Sequence, residues 1–182
     1  MTLAAFVIGS GLLIFISRAS LRAPHSHGFH RFFAWESIFC LFLLNFEYWF
    51  FKPFAWNQII AWLSLVLSLI PLAFGIHSLR TRGKPAVQRE ADPSLLGFER
   101  TTELVTSGIY KFIRHPLYSS LFWLTWGIFF KRPSLTGFVI SITAVFFLIM
   151  TARADEAECV EFFGGKYREY MHHTKMFIPY VF

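Results

Sequence analysis

Two polar patches carry the residue types able to do chemistry. One is Arg114-His115-Pro116-Leu117-Tyr118, closing a segment that also holds Thr106, Gly108 and Tyr110. Pro116 suits the first turn of a helix and restricts His115 to an extended conformation. That geometry points an imidazole and the free N–H groups of a helix start at one spot, with Tyr118 inside the first turn. Such a helix start favours carboxylates and other anions. Gly108 can take backbone angles closed to other residues and lets a ligand approach the main chain. The second patch is Arg153-Ala154-Asp155-Glu156, running on through Cys159 to Gly164-Gly165 and Tyr167-Arg168-Glu169-Tyr170. At helical spacing Asp155, Cys159 and Phe162 share a face. Glu156 lines up with Val160 and Phe163, a partly apolar stripe turned toward the protein, while Glu158 and Glu161 face elsewhere. An imidazole, two carboxylates, a guanidinium and several tyrosines can hold a polar ligand without a metal. Taken singly, each patch also fits a plainer role: a His-Pro cap at a membrane interface, or an amphipathic surface helix with solvated acids.

The elements that must bring these patches together are apolar. Of 182 residues, 55% are hydrophobic, 20% aromatic and only 15% charged, with a mean hydropathy of +0.49. A soluble domain runs nearer a quarter charged, and a chain this short buries too little of its area to hide so much apolar surface. Disorder is excluded by the same aromatic wealth. The composition therefore predicts an all-α, polytopic membrane protein. Five apolar runs stand out: Thr2–Ser17, Phe32–Phe51, Ile59–Ile76, the short Leu117–Phe130, and Leu135–Ala152. The first carries its charge after the apolar stretch and reads as a retained span rather than a signal peptide. We expect about five transmembrane helices in one membrane-embedded domain over 1–182, with three N-terminal spans in 1–76 and a functional region in 100–182. Lys131-Arg132-Pro133-Ser134 is a tight connector, so the last two runs form an antiparallel hairpin, with Lys131 and Arg132 snorkelling at its tip. That hairpin sets Arg114-His115-Pro116 beside Arg153-Ala154-Asp155-Glu156.

The formal charge of +6 is a matter of topology rather than of nucleic-acid binding. Arg18, Arg22 and Arg31 lie in one loop; Arg80, Arg82, Lys84, Arg89, Arg100, Lys111 and Arg114 in another; Arg153, Lys166, Arg168 and Lys175 in the tail. Only Lys52, Lys131 and Arg132 fall on the opposite side. The positive-inside rule then puts the N-terminus outside, the C-terminus in the cytoplasm, and both polar patches on the cytoplasmic face. Most of these cations serve orientation and lipid headgroups.

Other polar groups signal less. Glu36 and Glu47 sit three turns apart in the second run and would share a face; intramembrane acids invite a functional reading, though both lie near span ends. His25, His27 and His30 have no Cys or carboxylate at metal-ligand spacing, so no metal is expected. Cys40 and Cys159 are too few for a disulfide framework. Phosphate-loop, Ser-His-Asp and Cys-x-x-Cys patterns are absent.

Gly108-Ile109-Tyr110, Arg114-His115-Pro116-Leu117-Tyr118, the hairpin, the acidic pair, Phe163-Gly164-x-x-Tyr167-x-x-Tyr170 and the terminal Ile178-Pro179 together resemble the integral-membrane methyltransferases. These are the isoprenylcysteine carboxyl methyltransferase and phospholipid methyltransferase families, and the resemblance covers roughly 100–182. It implies S-adenosylmethionine as donor, S-adenosylhomocysteine as product, and a lipophilic acceptor in the membrane, an isoprenylcysteine-like carboxylate among the candidates. Cofactor contacts would fall on Thr106, Gly108, Tyr110, Arg114, His115, Pro116, Tyr118, Asp155, Glu156 and Tyr167. Asp155 stands where the family keeps the first of two Glu, and Ser120 where many members have Gly. By the same resemblance His115 would hold the polar end of the cofactor, Glu156 would accept from its amine or ribose, and Arg168 would grip a substrate carboxylate. Arg168 and Glu156 are thus the expected catalytic residues. Two other functions fit the same sequence: an NADPH-dependent reductase related to the membrane sterol reductases, and a non-enzymatic lipid-binding membrane protein.

Overall fold

A computed structural model describes residues 2–83 and 101–181. Lys84, Arg89 and Arg100 of the basic segment lie outside the described residues. Among the described residues the regular structure is helical: α1 (Thr2–Ser17), α2 (His27–Asn45), α3 (Trp56–Arg82), α4 (Pro116–Lys131), α5 (Leu135–Phe163) and α6 (Gly165–His173). One isolated parallel bridge joins Ile113 to Lys175.

Local chemistry sets the helix ends. Ser26 and Ser134 accept from the N–H of Phe29 at 3.3 Å and of Gly137 at 3.0 Å, capping α2 and α5. Pro116 opens α4 at a position where its missing N–H is not needed. Between Gly137 and Gly164 the sequence has neither Gly nor Pro, and α5 runs unbroken for 29 residues. That is about 43 Å, about 13 Å more than an apolar layer of about 30 Å, and the acids lie toward its C-terminal end. Gly164, with φ 64° and ψ −137°, turns the chain into α6.

α4 and α5 are joined by Arg132-Pro133-Ser134 and fold back on each other. Each packs more extensively on another partner, α4 on α3 and α5 on α2, while α1 lies on α2. Close approach rests on small residues. A side chain at Gly127 would meet Leu65 at 2.8 Å, and one at Gly75 would meet Pro116 at 3.1 Å, so α3 fixes the start of α4. One buried cluster (Ala34, Tyr118, Leu148, Ala152, Phe177) lies beneath His115. A second (Ile38, Leu41, Ile128, Phe129, Ala144) fills the far end. Leu3, Val7, Ile8 and Leu12 of α1 and Leu63, Val66 and Leu69 of α3 are exposed, an apolar surface suited to lipid. By length and composition two helices, α3 and α5, can cross a membrane; α1 is a shorter apolar helix.

Two expectations are corrected. The second apolar run does not continue as helix to Phe51. Asn45 donates from Nδ2 to the Ile128 carbonyl at 2.8 Å, and the chain turns through a 3-10 segment at Phe46–Tyr48. Glu36 therefore sits mid-helix, bonded by the Ser10 hydroxyl of α1, whereas Glu47 lies in the turn and shares no helix face with it. Lys131 does not snorkel. Its ammonium lies 3.4 Å from the Trp62 ring centroid and donates to Gln58 Oε1 at 3.1 Å and the Trp49 carbonyl at 3.2 Å. Ring and carbonyl contacts replace its hydration shell. Only Arg132 stays outside, over Tyr48 at 4.3 Å.

Candidate active site

At the opposite end from Lys131 the tail forms a short splint along the segment before α4. Arg114 N–H donates to the Lys175 carbonyl at 2.8 Å, His115 N–H to that of Met176 at 3.2 Å, and Lys175 N–H to that of Phe112 at 3.2 Å. The backbone at 114–115 is thereby fixed before any side chain is considered. His115 then meets the acids projected by α5. Its Nε2 lies 3.3 Å from Glu156 Oε1 and its Nδ1 3.4 Å from Asp155 Oδ2. Arg114 Nε donates to the same Glu156 oxygen at 2.7 Å, and its Nη1 reaches the carbonyls of Met171 and Thr174. The imidazole stacks on Tyr118 at 5.4 Å and takes Phe177 edge-on at 6.4 Å.

These contacts set the charge states. Burial alone would keep His115 neutral, but hydrogen bonds to Asp155 and Glu156 and their charges outweigh it and raise its pKa above the usual imidazole value. Burial would raise the Asp155 carboxyl; bonding to His115 and the charges of His115 and His27 instead hold it at about 2. Glu156 is lowered in the same way by His115 and Arg114, against its burial. Tyr167 and Tyr170 are pushed up by burial and stay neutral phenols. Tyr170 donates its hydroxyl to the Tyr110 carbonyl at 2.6 Å, and Tyr167 stacks on Phe163 at 6.5 Å.

A cleft whose enclosed space is about 90 Å³, open on one side, lies over this network. Asp155, His115, Tyr110, Tyr118, Tyr167 and Phe163 line it, with Arg114, Pro116, Cys159, Tyr170 and the apolar side chains of Leu79, Leu104, Val105 and Leu117. Most of the expected residues thus converge, and His115 and Glu156 touch. Four are placed otherwise. Glu156 is buried behind Arg114 and His115, leaving Asp155 as the acid that faces the cleft. Thr106 lines a neighbouring surface cleft with Lys111, Lys166 and His173. Gly108, at φ 68°, packs the turn against Ser78 and Arg82, where a side chain would come within 3.0 Å of each. Arg168 is exposed on α6; Tyr167 and Tyr170, either side of it on the helix, turn inward. One pair was missed. Glu158 faces α2, where His27 Nδ1 lies 2.6 Å away; helical phase on α5 alone could not reveal that neighbour.

Among the described residues the architecture is all-helical, as the composition predicts, and His115 meets Asp155 and Glu156 near the start of α4. Residues 93–165 match the model of the phospholipid methyltransferase family. The likeness to the membrane methyltransferases is therefore real over a stretch that contains Arg114, His115, Asp155 and Glu156 and stops short of Tyr167 and Arg168. The chain is also 30% identical over 73 residues to the methanethiol S-methyltransferase of Pseudomonas deceptionensis, covering 39% of this chain and 26% of that protein. It is 27% identical over 109 residues to methanethiol S-methyltransferase 1 of Bradyrhizobium diazoefficiens, covering 59% and 33%. The chain thus spans about a quarter to a third of the length of these curated relatives. No solved structure matches it.

Proposed function

We propose that the protein is an S-adenosylmethionine-dependent methyltransferase of the membrane whose acceptor is a small apolar thiol. The observation that carries this is the Asp155–His115–Glu156 network facing, through Asp155, into a cleft walled by Tyr110, Tyr118 and Tyr167. The residues fit the donor. A carboxylate held ionised suits an amine or ribose hydroxyl, and neutral aromatic faces suit an adenine ring and a cationic sulfonium. When bound, S-adenosylmethionine would supply an electrophilic methyl group. Asp155 then binds and orients, Glu156 and Arg114 hold the His115 ring in place, and the apolar side chains of Leu79, Leu104, Val105 and Leu117 limit the access of water. Positioning of this kind contributes on the order of 7–11 kcal/mol in well-oriented reactions.

The activity for which the two relatives are named favours a thiol, and so does the charge of the cleft. Among the described residues the guanidinium there, Arg114, is engaged by Glu156 and two carbonyls, while Arg168 is exposed. Among the described residues that line the cleft, no guanidinium is left to pair bidentately with a carboxylate acceptor such as an isoprenylcysteine. The two carboxylates favour the protonated form of His115 and Asp155 is a poor base, so the neutral thiol gives its proton to water on reaching the cleft and reacts as the thiolate. We read α1 to α5 as five spans of one domain over 1–182, the N-terminus outside and the cleft on the cytoplasmic face. Water-soluble donor then enters from the cytoplasm and lipophilic acceptor from the bilayer.

Thermal unfolding of the purified protein in detergent tests the donor. S-adenosylhomocysteine at a hundred times its Kd contributes about 2.7 kcal/mol, which for a chain of this size raises Tm by about 5–11 °C. Stabilisation by NADPH instead would identify a reductase. Stabilisation by neither would leave a lipid-binding protein.

A further inference from the structure

The end of α5 that bears the acids is held by a residue from outside the family-matched segment. His27, the first residue of α2, is fully buried. Its backbone N–H, a donor that every helix start leaves unpaired, bonds Glu158 Oε1 at 2.8 Å. Its Nδ1 lies 2.6 Å from Glu158 Oε2. Asp155, nearly one turn earlier on α5, brings an oxygen within 4.8 Å of the His27 and Glu158 ligand atoms. Glu156, His115, Asp155, His27 and Glu158 thus alternate acid and imidazole. Three such groups could in principle hold a metal, but both Glu158 oxygens are already taken by His27, the arrangement of a clamp. Burial would lower the His27 pKa; the Glu158 bond and the charges of Asp155 and Glu158 outweigh that, and the opposing charge of Arg31, and raise it.

We propose that His27 is a positioning residue of the cleft: through Glu158 it anchors the C-terminal end of α5 to the first turn of α2 and so holds Asp155 against His115. Glu156 is tied directly to Arg114 at 2.7 Å, whereas the Asp155–His115 contact, at 3.4 Å, is the looser of the two acid–imidazole contacts. Releasing Glu158 lets Asp155 swing away while Glu156 stays. The geometric inference stands without the proposed activity; only the word for what is positioned, a methyl-transfer site, rests on that reading.

The test is the ring titration of His115 by NMR in detergent without ligand, together with S-adenosylhomocysteine affinity. His115 is faced by Asp155 and Glu156 of α5, by Arg114 beside it, and by the rings of Tyr118 and Phe177. In His27→Ala and Glu158→Gln its midpoint should fall by about half a unit or more as Asp155 withdraws. Affinity should fall about tenfold, the scale of a sub-ångström misplacement. Loss of the His27 charge alone pushes the His115 midpoint upward, so a fall in His27→Ala reports geometry, whereas Glu158→Gln is read through the affinity. His27→Asn, which keeps a donor near Nδ1 without the charge, should hold the midpoint at or above wild type and recover the affinity. His25→Ala, at an exposed site two residues away, should move neither. Unchanged midpoint and affinity in both His27→Ala and Glu158→Gln would overturn the proposal. Should His27→Ala not fold, Glu158→Gln decides through the affinity, because losing its own charge already lowers the midpoint. A shifted midpoint in a protein that binds no S-adenosylhomocysteine would keep the clamp and sink the proposed function.

Discussion

Glu156 carries the stability of the network, and replacing it with Gln isolates its charge. One oxygen, Oε1, serves both Arg114 at 2.7 Å and His115 at 3.3 Å, and the Glu156 and Arg114 side chains are each 10% exposed. Removing one partner of a buried ion pair costs about 3–5 kcal/mol, because the other charge is left uncompensated. Here His115 can shed its proton and Gln keeps an acceptor, which brings the expected loss to about 2–3 kcal/mol. For a chain of 182 residues that lowers Tm by about 4–12 °C. Tryptophan fluorescence during a thermal ramp in detergent at pH 6, with Glu161→Gln as an exposed control, reads it. The effect also has a pH signature. His115 has a folded-state pKa above its unfolded value, so its contribution is complete below about pH 6.5 and fades as pH rises through the folded pKa. The difference between Glu156→Gln and wild type should therefore shrink on the alkaline side, leaving the Arg114 share. A Tm for Glu156→Gln equal to that of Glu161→Gln at pH 6 would refute the assignment of Glu156 as a buried counter-ion.

Asp155→Asn keeps the shape of the cleft and removes its facing charge; S-adenosylhomocysteine affinity by calorimetry should weaken about 10- to 100-fold, the scale of a charge-assisted hydrogen bond. Lys131→Met, at the far end, should cost about 1–2 kcal/mol through the lost Trp62 contact while leaving that affinity unchanged in the same titration. With no strong base among the described residues that line the cleft, the rate at saturating donor should climb with pH about tenfold per unit below the acceptor thiol's own pKa, and lie flat over that range if a side chain removes the proton instead.

The meeting of His115 with Asp155 and Glu156 was legible because topology forces it: two helices joined by three residues must bring their other ends together. The continuity of α5 was equally readable from the lack of Gly or Pro between Gly137 and Gly164. What a single helix cannot tell is which neighbour lies on each face. Phase alone put Glu158 away from the acidic pair without revealing α2 on that side, and it turned Glu156 toward the protein without revealing that Arg114 closes over it and leaves Asp155 to the cleft. Lys131 was misread for a related reason. Snorkelling is the default when water is the best solvent within reach, and Trp49, Gln58 and Trp62, distant in sequence, supply a better one. Arg168 shows the reverse: Tyr167 and Tyr170 both turn inward, so the phase of α6 already faces Arg168 outward.

The central claim is that one cleft brings a sulfonium donor to a thiol at the membrane. Incubating the purified protein with methyl-labelled S-adenosylmethionine and a short alkanethiol, in parallel with a prenylated cysteine, measures it directly. The account predicts a labelled thioether from the thiol, lost in Asp155→Asn, and no labelled ester. Label transferred to the carboxylate alone, or to neither compound, would contradict it.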